Sequence, residues 1–479
     1  MIERLKTLKK HLFINGEWVE AKQYQPLYSP YSGEQIAEIA FADESEVEMA
    51  IQAAEQARPI MAKMPAHQRA TILENLVKLM EENADECARL IALEAAKPWT
   101  TAKGEVARTI MTYKFAAEEA RRIHGETIPM DAAPGGEDRI AFTIRQPLGV
   151  VAAITPFNFP MNLVAHKVGP AIAAGNTIVL KPATQTPLTS LYLAELLQKA
   201  GLPNGVINVV TGSGSTVGEK LIQDQRVKVI TFTGSPAVGI GIRNKAGLKK
   251  VTLELGSNAA LIVDQGTDLN SIIARAVTGA FAFAGQVCIS LQRVYVHEAL
   301  YESFVEKFVA QTKTLRLGNP LDPETDVSAL ISPKDVERSL QWIEEAKQAG
   351  ATIATGGAAE GNILQPTVLL NVDPKAKVSC QEVFAPIVLI NKVSSVQEAI
   401  EYVNDSRFGL QAGIYTPNIT TAIQAAEALE VGGVMINDIP TFRVDHMPYG
   451  GVKESGIGRE GLKYAVEEMT EMKLVCIKK

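Results

Sequence analysis

The chain reads as an α/β protein: two doubly wound parallel-sheet domains and a small β extension suited to oligomerisation. Three observations predict this. Short, β-branched, nearly continuous apolar runs at 149–154, 177–180, 206–210 and 229–232 suit strands buried on both faces of a parallel sheet. Helix-periodic stretches at 163–174, 187–200 and 215–224 separate them, and repeated strand–helix–strand alternation marks a doubly wound domain. A second alternating series follows, with helical stretches at 301–315 and 333–348 and strand-like runs at 351–354, 387–390 and 434–437.

Ahead of the first series, 43–61 has helical spacing and an acidic first turn, which favours a helix start. The stretch 69–95 predicts one long amphipathic helix, with Ile72, Leu76, Leu79 and Leu90 facing inward, and 101–121 predicts another. The Ala- and Gly-rich stretch 276–287, broken by Thr278 and Gln286, reads as buried. Two pieces fit neither domain. The segment 125–147 carries Pro129, Pro134, Gly135 and Gly136, and the tail ends in the strand-like run Lys473-Leu474-Val475-Cys476-Ile477. They are read as strands that pair with each other or with another subunit, against a surface loop and a frayed tail, because the tail is apolar.

With 479 residues, 46% hydrophobic and 21% charged, the chain can bury large cores, which excludes disorder and disulfide-stapled scaffolds as the main architecture. A net charge of -7 argues against nucleic-acid or anionic-membrane partners. Four scattered cysteines (Cys87, Cys288, Cys380, Cys476) suit a reducing compartment. The first ten residues are basic, but the turn at Asn15-Gly16 follows too soon for a signal-peptide core, and no stretch nears the ~18 apolar residues of a membrane helix. The expectation is a cytoplasmic protein. The six histidines (His11, His67, His124, His166, His297, His446) show no metal-ligand spacing, so no metal is expected.

Three sites carry candidate chemistry. In Phe283-Ala284-Gly285-Gln286-Val287-Cys288, small residues ahead of a cysteine allow close approach of backbone and ligand, although a lone cysteine in such a run equally suits a small buried hydrophobe. In Leu253-Glu254-Leu255-Gly256, a carboxylate among apolar residues has the character of a general base if buried, or of a strand-end side chain if it reaches solvent. Asn158, in Thr155-Pro156-Phe157-Asn158-Phe159-Pro160, follows a strand directly, where an amide can donate to a developing oxyanion. Glycine turns at Gly212–Gly218 and Gly234-Ser235 do not match G-x-G-x-x-G, yet each can open a helix toward a pyrophosphate.

Taken together, these blocks resemble the aldehyde dehydrogenase superfamily over nearly the whole chain. The matching stretches are Pro156 to Pro160, Gly175 to Pro182, Phe232 to Ser235, Leu253 to Gly256, Gly285 to Cys288, Glu382 to Pro386 and Pro448 to Gly456, in the family's order. The resemblance implies a dinucleotide-binding domain at 1–122 with 148–255, a catalytic domain at 256–460, and an oligomerisation extension at 123–147 with 461–479 that makes a homodimer or homotetramer. It implies Cys288 as nucleophile, Asn158 as oxyanion donor and Glu254 as the base that activates water on a thioester. NAD or NADP would be held by Lys181 and Glu382 at the ribose hydroxyls. Ile154, Thr155, Pro156, Gly214, Gly218, Gly234, Ser235, Val238, Leu255, Gly256 and Phe384 would line the rest of the cofactor site.

Departures from the family set the finer expectations. Thr184 stands where NAD-preferring members often place a glutamate that repels a 2′-phosphate, so NADP is expected to be tolerated. By alignment to the family, Arg108, His166 and Arg443 converge on the substrate tunnel, favouring a small anionic or polar aldehyde. The run Phe442 to Gly451 looks like the branch of lactaldehyde, sulfolactaldehyde, phosphonoacetaldehyde and non-phosphorylating glyceraldehyde-3-phosphate dehydrogenases. Val287, where some members place a phosphate-binding arginine, favours lactaldehyde or sulfolactaldehyde over phosphorylated substrates. Succinate semialdehyde and glyceraldehyde-3-phosphate remain alternatives. A coenzyme-A-acylating enzyme is disfavoured by the presence of Glu254, and a non-catalytic relative by the presence of Cys288, Asn158 and Glu254 together.

Overall fold

A computed structural model describes residues 9–479. Most of the basic start of the chain, residues 1–8, lies outside the described residues. The main elements arise where the hydrophobic pattern places them. Asp43 caps the helix Glu44–Lys63 by accepting from Ser45 N, while Glu46 accepts from Asp43 N in return, a reciprocal capping box. The expected long helix over 69–95 is instead two helices, Ala66–Glu82 and Ala84–Ala95, broken at Asn83, whose φ −114° and ψ 21° are non-helical. Asn83 also donates its side-chain amide to Leu79 O, offering the backbone a local alternative to the helix ladder. Of the inward candidates, Ile72, Leu76 and Leu90 are buried and Leu79 is half-buried. The stretch 215–224 also divides, into a wide turn Gly214–Gly218 and a short helix Glu219–Gln223.

The first sheet has eight strands in the order Gly456–Ile457, Lys250–Glu254, Val227–Thr233, Val150–Ile154, Thr177–Lys181, Ile207–Val209, Leu12–Ile14 and Glu17–Val19. The five from Lys250–Glu254 to Ile207–Val209 are mutually parallel. Their apolar runs are explained by burial on both faces: Val151 and Ala153 join one hydrophobic cluster, while Val150, Ala152 and Ile154 join another. Strand order reverses direction on either side of Val150–Ile154, so the crevice beyond its carboxyl end, next to Val227–Thr233, is the topological switch point where ligands bind in such sheets.

The second sheet has seven strands, all parallel except the edge strand Thr352–Thr355. A third, antiparallel sheet orders Thr470–Lys478, Arg139–Pro147 and Thr127–Ile128. The tail and the segment before residue 148 therefore pair with each other, over nine residues of Thr470–Lys478. The strand Gly456–Ile457 crosses back from the second half of the chain to the first sheet, pairing with Leu253 and Glu254. A small sheet of Lys9–Lys10, Gln35–Phe41 and Gln23–Tyr28 was not foreseen. All four cysteines are unpaired, and no described helix is long and apolar enough to cross a membrane.

Candidate active site

At the switch point lies a cleft of about 540 Å³. Every residue expected to hold the cofactor lines it except Gly256, and Asn158 and Cys288 line it too. Gly256 sits just behind: a Cβ there would lie 2.8 Å from Glu382 Oε2, so any larger residue would displace the Glu382 carboxylate. The lining groups fit a dinucleotide. Lys181 is buried, donates only to Pro182 O at 3.2 Å, and is pulled down to about 8 by desolvation. Burial pushes Glu382 up to about 7, and its Oε1 accepts from Ser257 N at 3.0 Å. A cation and an acid so sparsely partnered suit the hydroxyls of a ribose. Gly234, Ser235 and Val238 bring the N-terminus of the helix Pro236–Lys245 to the cleft, a site for phosphate. Phe384 meets Phe157 edge-on, with ring centroids 5.8 Å apart. Thr184 is exposed on the wall, whose only carboxylates are Glu382 and Asp335. Asp335 and Arg338, contributed by the helix Pro333–Gln348, were missed as wall residues.

Cys288 stands after a strained turn. Phe283 (φ 49°) and Ala284 (φ 52°) are both left-handed, at a cost of about 1–2 kcal/mol each. Gly285 (φ 69°) completes the turn, and a Cβ there would lie 2.2 Å from Ala385 O. The turn thus presses against the backbone next to Phe384 and delivers Cys288 to the cleft. Cys288 Sγ lies 2.8 Å from Tyr449 Oη. Burial pushes its thiol up to about 11, opposed by Tyr449 and Arg443.

Glu254 ends the strand Lys250–Glu254 and is 3% exposed, which rejects the solvent-reaching alternative. Neither carboxylate oxygen has a hydrogen-bond partner among the described residues. Burial, then the charge of Glu460, holds its carboxyl well above the usual range, against the opposing pull of Arg443, Lys167 and Arg459. A carboxyl so raised and so sparsely partnered has the character that a general base needs.

Asn158 is also buried. Its amide Nδ2 donates to Gln286 O at 2.9 Å, two residues before Cys288, while Oδ1 has no partner among the described residues. The loop is held from below by a buried ion pair that the sequence did not reveal. Lys97 pairs with Glu105 and donates to Asn158 O at 2.7 Å. Glu105 accepts from Met161 N and Asn162 N at 2.9 and 3.1 Å. The Lys97 ammonium also lies 3.6 Å from the Phe159 ring centroid and 4.4 Å from that of Phe283, beneath both turns.

Arg108, His166 and Arg443 do converge, but as members of a compensated network rather than a bare basic pocket, and none of them lines the cleft. Arg108 donates to both carboxylate oxygens of Asp445, at 2.7 and 3.2 Å. His166 Nε2 is 2.9 Å from Asp445 Oδ1 and 3.2 Å from Arg443 Nη2. Arg443 and Lys167 each donate to Glu460 at 2.9 Å. Burial and Arg443 pull His166 down, so it is neutral at physiological pH. Burial opposes the ionisation of Asp445 and Glu460, yet their basic partners hold both well below the usual carboxylate range. Three cations thus face two anions. Asp445, Glu460 and Tyr449 all lie in or beside sequence blocks that drew attention for other residues. Their roles depend on contacts across the fold.

A model of the aldehyde dehydrogenase family matches residues 18–475. The chain is 47% identical to the 3-sulfolactaldehyde dehydrogenase of Priestia aryabhattai over 466 residues, covering 97% of both chains. It is 40% identical to the lactaldehyde dehydrogenase of Methanococcus aeolicus, covering 97% of this chain and 99% of that one. It superposes with a TM-score of 0.92 and 41% identity on the glyceraldehyde-3-phosphate dehydrogenase of Methanocaldococcus jannaschii solved with NADP, covering 96% of this chain and 100% of that one. The chain belongs to the aldehyde dehydrogenase family. It is an oxidoreductase that acts on aldehydes with NAD(P).

Proposed function

We propose that the protein oxidises a small polar aldehyde, the anionic sulfolactaldehyde in preference to the neutral lactaldehyde, to its carboxylic acid, through a thioester on Cys288. The unit built on the first sheet binds the dinucleotide, and the second sheet supplies the nucleophile. Cys288, as thiolate, attacks the carbonyl carbon, and Asn158, released from Gln286 O, donates to the resulting oxyanion. NAD(P)+, when bound by Lys181, Glu382 and the N-terminus of the helix Pro236–Lys245, supplies the hydride acceptor. The thioester left on Cys288 is attacked by water that gives its proton to Glu254, which releases the acid and the thiolate.

The single observation that carries the substrate reading is the network's excess of one cation at Arg108, Arg443 and Lys167 over Asp445 and Glu460. Arg443 Nε has no partner among the described residues, and the Arg108 side chain is 32% exposed, so both guanidinium groups keep capacity for an anion. The Priestia relative, named for a sulfonated aldehyde, agrees with this reading. The test compares kcat/KM for sulfolactaldehyde, lactaldehyde, glyceraldehyde-3-phosphate, succinate semialdehyde and benzaldehyde in wild type, Arg108→Ala and Arg443→Ala. The substitutions should raise KM for anionic aldehydes about tenfold more than for neutral ones; equal losses on both classes would refute the anion site.

We infer a homo-oligomer built on the third sheet. Its register pairs Ile140 with Ile477 and Phe142 with Val475, which places an apolar surface on one face. Ile140, Phe142 and Ile477 are exposed, an apolar edge that a second copy of the chain would cover.

A further inference from the structure

We propose that Tyr449 is a catalytic residue whose phenolic hydroxyl donates a hydrogen bond to the Cys288 thiolate, with Arg443 stacked on its ring to strengthen that bond. The proposal rests on the reading of Cys288 as nucleophile.

The geometry is specific. Tyr449 Oη lies 2.8 Å from Cys288 Sγ, and the ring packs in a small apolar cluster with Ile289 and Leu410, against Val287 and Cys288. Tyr449 is 2% exposed, so the hydroxyl has no ready exchange with bulk water. Its backbone is clamped: Tyr449 N donates to Glu460 O at 3.0 Å, and Glu460 N donates to Tyr449 O at 2.7 Å. The Arg443 guanidinium sits 3.6 Å from the ring centroid. Glu460 therefore holds both parts of the device, the tyrosine by its backbone and the arginine by its carboxylate.

While Cys288 is a thiol, either atom can donate. A thiolate has no hydrogen, so once Cys288 ionises the bond must run from Tyr449 to sulfur. Hydrogen bonds to an ionised acceptor are about twice as strong as neutral ones, so the contact favours the thiolate over the thiol. A cation over the ring draws electron density from the phenol, which makes its hydroxyl a better donor. The charged or titratable groups acting on Cys288 are Tyr449 and Arg443 from the C-terminal segment, Glu382 from the cofactor wall and Glu254 from the strand end. The two acids disfavour the thiolate, and Tyr449 with Arg443 offsets them. In the attack the phenol keeps its own proton. The sulfur lone pair forms the bond to carbon, and the Tyr449 contact is given up as negative charge moves to the carbonyl oxygen.

The test is the pH dependence of iodoacetamide alkylation of the full-length protein, read at the Cys288 peptide by mass spectrometry alongside residual activity. Tyr449→Phe keeps the ring and the Arg443 contact but removes the hydroxyl. Its alkylation midpoint should rise by about one pH unit. The tenfold smaller thiolate fraction, partly offset by the greater nucleophilicity of a more basic thiolate, leaves alkylation about threefold slower at pH 8. Wild-type chain carrying 3-fluorotyrosine, a more acidic phenol of nearly the same size, should move the midpoint the opposite way and requires no substitution that threatens folding. Midpoints unchanged in both proteins would overturn the proposal while leaving Cys288 as nucleophile. Alkylation of Cys288 without loss of activity would overturn the nucleophile reading itself.

Discussion

Lys97 and Asn158, far apart in sequence, meet in the core: the lysine ammonium donates to the asparagine carbonyl at 2.7 Å. The side chain that would face the oxyanion is thus held through its backbone by a cation that is wholly buried. Desolvation pulls Lys97 down to about 8, against the opposing charge of Glu105.

Removing that cation leaves the Glu105 carboxylate buried without its counter-ion. Lys97→Met should destabilise the protein by about 3 kcal/mol, read as a lower urea midpoint at unchanged m-value. The loss in kcat should exceed any change in KM, because the loop of Asn158 and the turn of Phe283 both rest on this ammonium. An unchanged urea midpoint would mean that the pair contributes nothing net.

Glu254→Gln removes the proposed base but keeps the shape. A burst of NAD(P)H close to one per site should survive in rapid mixing, while steady-state turnover falls by about 10²- to 10⁴-fold. In wild type, turnover should decline as pH falls through the raised ionisation of Glu254, and the variant should lose that limb. Absence of the burst would assign Glu254 an earlier role than hydrolysis.

Glu382 makes the stability of the cofactor-free fold depend on pH. Its carboxyl keeps its proton up to about pH 7 in the folded protein, against 4.5 as the ordinary value. Between those pH values the unfolded chain has released a proton that the folded chain retains. The contribution of Glu382 is therefore highest below about 4.5, declines as pH rises to about 7 and is level above, with a total loss of at most about 3 kcal/mol. Glu382→Gln should remove this component, so its advantage in thermal midpoint over wild type should grow from pH 5 to pH 8. A constant difference across that range would contradict the raised ionisation.

Thr184 is exposed on the wall of the cleft and carries no charge. Thr184→Glu places a carboxylate where a 2′-phosphate would approach, and the ratio of kcat/KM for NADP to that for NAD should fall by about tenfold or more. A ratio that stays within twofold of wild type would show that cofactor choice is decided elsewhere.

The fold was legible where composition had no freedom. Runs such as Val150–Ile154 must be apolar on both faces because helices cover both sides of a parallel sheet, and that pattern survives in sequence. The helix break at Asn83 was less legible, because the amphipathic period continues across it and only a local hydrogen bond interrupts the backbone. Cys288, Glu254 and Asn158 could be picked out because each sits beside a glycine or proline turn that closes an element. Tyr449, Lys97 and Glu105 carry no such mark: an aromatic and an ordinary pair of opposite charges acquire meaning only from what the fold places opposite them.

Arg108, His166 and Arg443 show the division most clearly. By itself the sequence determined that these three basic residues belong together, through alignment of its blocks with a family, and that the architecture is a pair of doubly wound sheets. Only the tertiary structure decided their charge state and direction. Asp445 and Glu460, brought back against the helices Trp99–Ala120 and Asn162–Ala174, neutralise two of the cations, while burial and the neighbouring Arg443 leave His166 uncharged against their pull. The physical reason is that a buried charge is set by the counter-charges within a few ångströms, and the chain brings those neighbours from positions that no local pattern connects.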